Sequence, residues 1–265
     1  MRIFLVRHAQ SEGNHNKEIH KTVANHAIEL TEEGHRQAKL AAEFLANYIH
    51  KKLARDANHD VRGYNNSTMN HWVYPKFRMW VSPFTRTRQT AEHIYKELSV
   101  LGTNLSCVKL NGFKEYANKL EIDKKEHVGL VEIDPGLFDG IAPEERPVLF
   151  PKEWELFHKV ESQKGRYWAR YPGGESVYDV ALRCHQSFGT FHRDYQRHGI
   201  ENLIIVSHGT TTRAFTQMWL GLPWEWYEEQ PNPGNTWIRL IEGKEDKGFI
   251  YQPHFGDKVY DGRGK

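Results

Sequence analysis

Short apolar runs alternate along the chain with longer segments in which apolar residues recur every three or four positions. The short runs at residues 1–6, 77–81 and 203–206 are β-prone and bounded by polar residues, as is typical of buried strands. The longer segments at about 84–98, 175–198 and 209–220 have the period of amphipathic helices. This alternation predicts an α/β fold, a three-layer α/β/α sandwich with a mostly parallel central sheet.

A further helix is expected after the first strand, because Thr31 is a favourable N-cap residue and an apolar stripe follows it. The stripe consists of Ala38, Ala41, Ala42, Leu45 and Ile49. Residues 129–133 predict another short strand. Residues 236–241 and 248–251 predict a terminal hairpin across the polar turn between them.

Two segments interrupt this pattern. Residues 55–72 are polar and turn-forming, and residues 138–172 mix prolines with large aromatic residues, which predicts a partly helical flap. No linker rich in proline, glycine or serine divides the chain. We therefore predict one domain over residues 1–265, with insertions at about 55–72 and 138–172.

The composition excludes several classes of protein. With 36 basic and 34 acidic residues, the formal charge of +2 is too balanced for a nucleic-acid-binding or membrane-surface protein. No apolar stretch approaches the roughly 18 residues of a membrane span. Because the first predicted strand begins so early, no signal peptide is expected. Cys107 and Cys184 are the only cysteines, and Cys184 falls on an apolar stripe, as a reduced core thiol would. A cytoplasmic location is expected.

Two histidines mark the most informative chemistry. His8 follows the first predicted strand, and His208 follows the strand at 203–206. Ligands bind at the carboxyl ends of strands in open α/β sheets, and adjacent parallel strands would bring the two imidazoles together. With Arg7 beside His8, the pattern indicates a phosphate site assembled from two distant segments.

Four separated motifs strengthen this interpretation. They are residues 7–14 (Arg-His-Ala-Gln-Ser-Glu-Gly-Asn), 82–91 (Ser-Pro-Phe-Thr-Arg-Thr-Arg-Gln-Thr-Ala), 130–140 (Leu-Val-Glu-Ile-Asp-Pro-Gly-Leu-Phe-Asp-Gly) and 206–209 (Val-Ser-His-Gly), the last preceded by Pro-Gly-Gly-Glu-Ser at 172–176. Together they resemble the histidine phosphatase superfamily, which includes cofactor-dependent phosphoglycerate mutases and many phosphomonoesterases. The phosphatase branch is the better match. Ala9 stands where that family usually has glycine.

The resemblance implies a role for each motif residue. His8 would be the nucleophile, Arg7, Arg86 and His208 would bind phosphate, and Glu132 would donate a proton. These roles suit the chemistry, because arginine forks pair with phosphate oxygens and a neutral imidazole is nucleophilic near neutral pH. The remaining anion contacts are expected from three further residues, Asn14, Gly209 and Thr210.

Three functions remain open at this point. The leading hypothesis is a metal-independent phosphomonoesterase that acts through phosphohistidine on a small phosphorylated metabolite. The alternatives are a phosphoglycerate mutase-type phosphotransferase and an inactive phospholigand-binding or scaffold protein. The 16 histidines include no His-Glu-x-x-His motif, so neither a metal nor another cofactor is expected. The expected partner is a small phosphomonoester, without nucleic acid or membrane, and a homodimer is left open.

Overall fold

The computed structural model describes residues 1–60, 76–105 and 122–254. Cys107 and the part of the 55–72 insertion beyond residue 60 lie outside these ranges. The strands are β1 (Arg2–Arg7), β2 (Lys76–Val81), β3 (Ile122–Glu126), β4 (Ile200–Ser207), β5 (Ile238–Glu242) and β6 (Glu245–Tyr251). They form one sheet in the order β3-β2-β4-β1-β5-β6. Pairing is parallel from β3 to β1 and antiparallel at β5 and β6.

Eight helices surround the sheet within the described ranges. They are α1 (Glu12–His15), α2 (Glu32–Asp60), α3 (Thr85–Leu105), α4 (Arg146–Leu149), α5 (Pro151–Lys164), α6 (Val177–His198), α7 (Gly209–Leu220) and α8 (Trp224–Glu229). Helices α4 and α5 lie in the segment that the sequence predicts as a partly helical flap. None of the helices described is long and apolar enough to cross a bilayer.

The core is divided between the two faces of the sheet, because successive strand residues point to opposite sides. Ile3 and Leu5 pack with buried residues of α6 and α7. Phe4 and Val6 pack with α2 and α3 on the other face. The prediction of helices on both faces of a mostly parallel sheet is therefore confirmed.

The predicted start of α2 is also confirmed. The Thr31 hydroxyl accepts a hydrogen bond from the Gly34 N–H at 2.9 Å, which satisfies one of the free amides of the first turn. All five residues of the predicted apolar stripe are buried. The terminal hairpin forms as β5 and β6, with a two-residue connection at 243–244.

The strand prediction at 129–133 is wrong, and a different strand was missed. Residues Val128–Leu130 form a 3-10 turn, and the chain then continues without a strand partner. The strand beside β2 is instead β3, whose sequence Ile-Asp-Lys-Lys-Glu is largely exposed. Charged residues are common on edge strands, where they discourage further pairing. Such a strand lacks the apolar signal that the sequence analysis used.

Candidate active site

The side chain of His8 lies directly after β1 and is 4 % exposed. Its Nδ1 lies 2.7 Å from the carbonyl oxygen of Ala9. A carbonyl oxygen can only accept, so the proton of the neutral ring belongs on Nδ1. The lone pair is then on Nε2, which is the atom that a nucleophilic imidazole needs.

Burial also keeps the His8 imidazole neutral. It lowers the pKa of His8 well below the usual value, and the positive charges of Arg86 and Arg7 lower the pKa further. The hydrogen bond to Ala9 acts in the opposite direction but is the smallest of these effects. The ring therefore retains its lone pair at neutral and mildly acidic pH.

His208 is brought to His8 by the pairing of β1 with β4. Arg7 is opposite Ser207 in this parallel pair, so the next residue of each strand is a histidine. The centroids of the two imidazole rings are 5.2 Å apart, in an edge-to-face arrangement. The prediction that adjacent parallel strands bring the two histidines together is confirmed.

Ser82 orients the imidazole of His208. The Ser82 hydroxyl lies 2.8 Å from Nε2, whereas Nδ1 is buried and has no hydrogen-bond partner among the described residues. Burial lowers the pKa of His208 well below its usual value, and electrostatic interactions with Arg86 and His8 lower the pKa further. If the Ser82 hydroxyl donates to Nε2, the single ring proton is on Nδ1.

Two arginines place positive charge beside the His8 imidazole. Arg86 is in the first turn of α3, is 5 % exposed, and donates from Nη1 to the carbonyl oxygen of Asn25 at 2.6 Å. Burial lowers the pKa of Arg86 to about 10, and the negative charge of Glu132 opposes that shift. Its guanidinium is therefore charged at neutral pH. Arg7 donates from Nη1 to the carbonyl oxygen of Pro233.

Glu132 lies against the N-terminus of α7. Its Oε2 accepts from the Thr210 N–H at 3.2 Å, and its Oε1 accepts from the Ile133 N–H at 2.9 Å. The Thr211 hydroxyl lies 3.3 Å from Oε1. These contacts hold the Glu132 carboxyl group at the N-terminus of α7.

This arrangement differs from the anion contacts expected of Gly209 and Thr210. The Thr210 N–H donates to Glu132, because the carboxylate occupies the helix terminus where a phosphate oxygen was expected. A side chain on Gly209 would come within 2.3 Å of Oδ1 of Asn232. The absence of a Cβ at Gly209 therefore allows the close approach of the loop that contains Asn232.

Asn14 contacts a residue that the sequence analysis did not single out. Its Oδ1 accepts from Nδ2 of Asn235 at 3.2 Å, and the same Nδ2 lies 3.0 Å from the carbonyl oxygen of His8. The Thr236 N–H also donates to that carbonyl, at 3.3 Å. Thr236 has a φ of 60°, which is strained for a β-branched residue. Residues 235–236 thus hold the backbone of His8, but their spacing in sequence gave no signal of this.

A cavity of about 840 Å³ opens over the site. Five of the eight predicted site residues line it, namely Arg7, His8, Asn14, Arg86 and Glu132. His208, Gly209 and Thr210 are not among its lining residues. The far wall comes from the flap segment and the chain before it, including Ile133, Phe138, Asp139, Arg146, Arg166 and Tyr171.

The fold also places other side chains that could carry different chemistry, among them His192 and Cys184. In the part of the chain that the structure describes, no three side chains of His, Cys, Asp or Glu are grouped as metal ligands would be. His192 stacks on Trp219. Cys184 is fully buried in the core, where burial raises the pKa of its thiol to about 12.

Comparisons with known proteins identify the family of the chain. The model of the histidine phosphatase superfamily (branch 1) matches residues 3–54 and 110–252. The phosphoglycerate mutase-like protein AT74 of Arabidopsis thaliana is 30% identical in an alignment of 248 positions that covers 91% of this chain and 64% of AT74. The chain therefore spans less than two thirds of that relative.

A yeast protein and a solved structure extend the comparison. The broad-range acid phosphatase DET1 of Saccharomyces cerevisiae is 24% identical in an alignment of 284 positions that covers 91% of this chain and 84% of DET1. Mycobacterial glucosyl-3-phosphoglycerate phosphatase, solved with inorganic phosphate, has a TM-score of 0.59 at 17% identity, over 95% of this chain and 97% of that one. At that identity the likeness concerns the fold alone. By its matching family model, this chain belongs to branch 1 of the histidine phosphatase superfamily.

Proposed function

We propose that this protein is a metal-independent phosphomonoesterase that acts on a small phosphorylated metabolite through a phosphohistidine at His8. The observation that carries the proposal is the hydrogen bond between His8 Nδ1 and the Ala9 carbonyl oxygen. It leaves Nε2 with a lone pair at the base of a cavity that two arginines also line. The name of the acid phosphatase relative supports hydrolysis as the reaction.

The first half-reaction transfers the phosphoryl group to the enzyme. A bond forms between His8 Nε2 and phosphorus while the bond from phosphorus to the leaving oxygen breaks. Arg7 and Arg86 neutralise charge on the phosphoryl oxygens, which is the main requirement of a loose transition state. A proton on the Glu132 carboxyl group passes to the leaving oxygen, so that the product departs as an alcohol.

The second half-reaction returns the enzyme to its starting state. The ionised Glu132 removes a proton from water as the water oxygen bonds to phosphorus and the bond to His8 Nε2 breaks. Inorganic phosphate leaves, and Glu132 carries the proton again. His208, held through Nε2 by Ser82, presents Nδ1 as a donor to the transferring group in both half-reactions.

The size of the cavity bears on substrate choice. A volume of about 840 Å³ greatly exceeds that of a single phosphate group, so the part of the substrate that does not react has room beside the flap. Aromatic side chains and arginines are both present on that wall. We therefore assign selection of the leaving group to residues of the flap and the chemistry to Arg7, His8, Arg86, Glu132 and His208.

Phosphate release from an aryl phosphate, measured with a metal chelator present, tests the proposal. The intact protein is expected to release phosphate and to form an acid-labile, base-stable phosphoprotein. His8→Ala is expected to do neither. Equal activity in both proteins, or no activity across a panel of phosphomonoesters, would exclude the mechanism. Transfer between the hydroxyl groups of phosphoglycerate, dependent on a bisphosphate primer, would instead identify a mutase.

A further inference from the structure

The backbone around Glu132 pairs with none of the strands that the structure describes, and a guanidinium group binds its carbonyl groups instead. Nη1 of Arg183, on α6, donates to the carbonyl oxygens of Gly129 and Val131, each at 2.8 Å. Nη2 of the same side chain donates to the carbonyl oxygen of Glu132 at 3.2 Å. One side chain thus binds three carbonyl groups within four consecutive residues.

Glu175 completes this arrangement from the other side. Its two carboxylate oxygens accept from Nε and Nη2 of Arg183, at 2.8 and 3.0 Å. One of these oxygens also accepts from the Asp134 N–H at 3.0 Å. The Glu175 N–H donates in turn to the Asp134 carbonyl oxygen at 2.9 Å. The backbone is therefore held on both sides of Glu132.

The bonding pattern requires arginine. A guanidinium has five N–H donors, and Arg183 makes five hydrogen bonds, three to carbonyl oxygens and two to Glu175. A lysine ammonium has three donors on a flexible stem and cannot reproduce this fork. The Arg183 and Glu175 side chains are only 16% and 24% exposed, so water competes weakly for these bonds.

Close packing leaves the held segment little room to shift. A Cβ on Gly129 would lie 2.4 Å from Oγ of Ser187 and 3.1 Å from the carbonyl oxygen of Arg183. The Thr211 hydroxyl, on α7, donates to the Val131 carbonyl oxygen at 2.6 Å. The position of the Glu132 carboxyl group is thus set by contacts with both α6 and α7.

We propose that Arg183 and Glu175 form a positioning pair that holds Glu132 at the distance required for proton transfer to the leaving oxygen. This inference rests on the proposed function. Neither residue lines the cavity, so the pair acts through Glu132 and does not touch the substrate. If the pair had a merely structural role, its substitution would lower kcat/KM equally for all substrates. If it positions Glu132, the loss of kcat/KM depends on how much the leaving group needs a proton.

The need for a proton depends on the basicity of the leaving oxygen. The p-nitrophenolate ion is a weak base that departs without protonation, whereas the alkoxide of glycerol is a strong base that requires it. The parameter kcat/KM covers the steps up to formation of phosphohistidine and excludes its later hydrolysis when that transfer is irreversible. Comparing kcat/KM for p-nitrophenyl phosphate and glycerol 2-phosphate therefore isolates the proton donated by Glu132.

The central experiment is this comparison in Arg183→Lys. We expect kcat/KM for glycerol 2-phosphate to fall on the order of 10- to 100-fold, since small misplacement of a catalytic group has effects of that size. We expect kcat/KM for p-nitrophenyl phosphate to fall less than about threefold, because that leaving group uses little of the general-acid contribution. Glu175→Gln should show the same selectivity with a smaller loss.

Two further variants calibrate the measurement. Glu132→Gln removes the acid itself and should discriminate most strongly between the two substrates. Arg193→Lys is the matched control, because Arg193 is an exposed residue of the same helix whose Nη2 contacts only a neighbouring threonine in the described contacts. It should leave both values of kcat/KM unchanged. Circular dichroism shows whether each variant is folded, and Glu175→Gln carries the test if Arg183→Lys is not.

The outcomes separate this inference from the function on which it rests. In one outcome, folded Arg183→Lys or Glu175→Gln loses kcat/KM equally for both substrates, while Glu132→Gln shows a selective loss. That outcome would overturn the positioning role alone. Absence of a phosphohistidine in the intact protein would overturn the proposed function. Selective losses in all three variants, with unchanged Arg193→Lys, would support both.

Discussion

At the scale of single residues, the contact between Ser82 and His208 orients the His208 imidazole. Ser82 is fully buried, and its hydroxyl lies 2.8 Å from His208 Nε2. Without the hydroxyl, the imidazole is free to exchange its ring proton between the two nitrogens. A buried ring nitrogen would also lose its hydrogen bond.

We predict that Ser82→Ala lowers kcat/KM about tenfold, equivalent to about 1.4 kcal/mol, and lowers the free energy of unfolding by about 1–3 kcal/mol. Steady-state kinetics and urea unfolding measure the two effects. Ser99→Ala is the control, because the Ser99 hydroxyl donates only to a carbonyl oxygen of its own helix in the described contacts. Unchanged kcat/KM in Ser82→Ala would contradict a role for the oriented His208.

Cys184 provides a second residue-scale prediction. Burial raises the pKa of its thiol to about 12, and alkylating reagents attack the thiolate. We expect Cys184 to resist iodoacetamide at about pH 8 in the native protein and to react after unfolding in guanidinium chloride. Peptide mass spectrometry distinguishes this thiol from Cys107. Rapid alkylation of Cys184 in the native protein would contradict the buried position.

At the scale of elements, the first turn of α2 is held against the loop after β1. A Cβ on Gly34 would lie 1.9 Å from the carbonyl oxygen of Gln10, which is backbone and cannot move aside as a flexible side chain would. The Gln10 carbonyl also accepts the Thr31 N–H at 3.1 Å. The close approach of α2 therefore supports the loop that follows His8.

Gly34→Ala is predicted to destabilise the protein by about 2 kcal/mol or more, because the added methyl group overpacks this contact. Gly189→Ala is the matched control. Gly189 lies in the interior of α6, and a Cβ added there would have its nearest contact with the side chain of Arg193, at 3.4 Å. The control is expected to gain about 0.5–1 kcal/mol from the higher helix propensity of alanine. Chemical unfolding of both variants measures the difference, and equal stability would contradict the clash.

The elements that could be predicted from sequence are those whose pattern of apolar and polar residues matches their burial in the fold. The apolar runs of β1, β2 and β4 predict buried strands because both of their faces meet helices. The edge strand β3 was missed because four of its five residues are exposed and charged. Residues 129–133 were assigned to a strand because they are apolar, whereas their carbonyl groups bind Arg183, about 50 residues away. That partner could not be identified from the local pattern.

The same distinction applies to the site. His8, Arg7 and His208 adjoin predicted strands, and Arg86 and Glu132 were assigned from motifs. Ser82, Arg183 and Asn235 act on those residues through contacts between distant segments. Asn235 reaches the His8 carbonyl oxygen from 227 positions away. The residues that support the proposed chemistry therefore could be identified only from the folded structure.

At the scale of the whole molecule, histidine burial makes stability depend on pH. The folded-state pKa of His8 and of His208 lies well below its usual value, chiefly because of burial. The unfolded chain therefore takes up these protons first as the pH falls through about 6.5. The stabilisation is fully present above that pH and is lost below it. Burial also lowers the pKa of His20, His93 and His127, which adds to the loss.

Urea unfolding at about pH 7.5 and 5.5 is expected to show lower stability at the acidic pH, by at most about 1.4 kcal/mol per pH unit for each fully buried histidine. Phosphate-free buffer is required, because an anion bound at the arginines would itself stabilise the fold. The double variant His8→Gln, His208→Gln should lose less stability between the two pH values. An identical loss in the intact protein and the double variant would contradict this assignment.

The pairing of β1 with β4 separates the positions of the two histidines from sequence changes elsewhere in the cavity. The distance between the two imidazoles is fixed by hydrogen bonds inside the sheet, whereas the flap, residues 138–172, contributes to the cavity wall from a separate stretch of chain. Mutations can therefore accumulate in that stretch without disturbing the reacting groups. An ancestral enzyme with this scaffold could acquire descendants with different substrates while its catalytic step stayed the same. Grafting that stretch from a relative offers a direct route to redesigning selectivity.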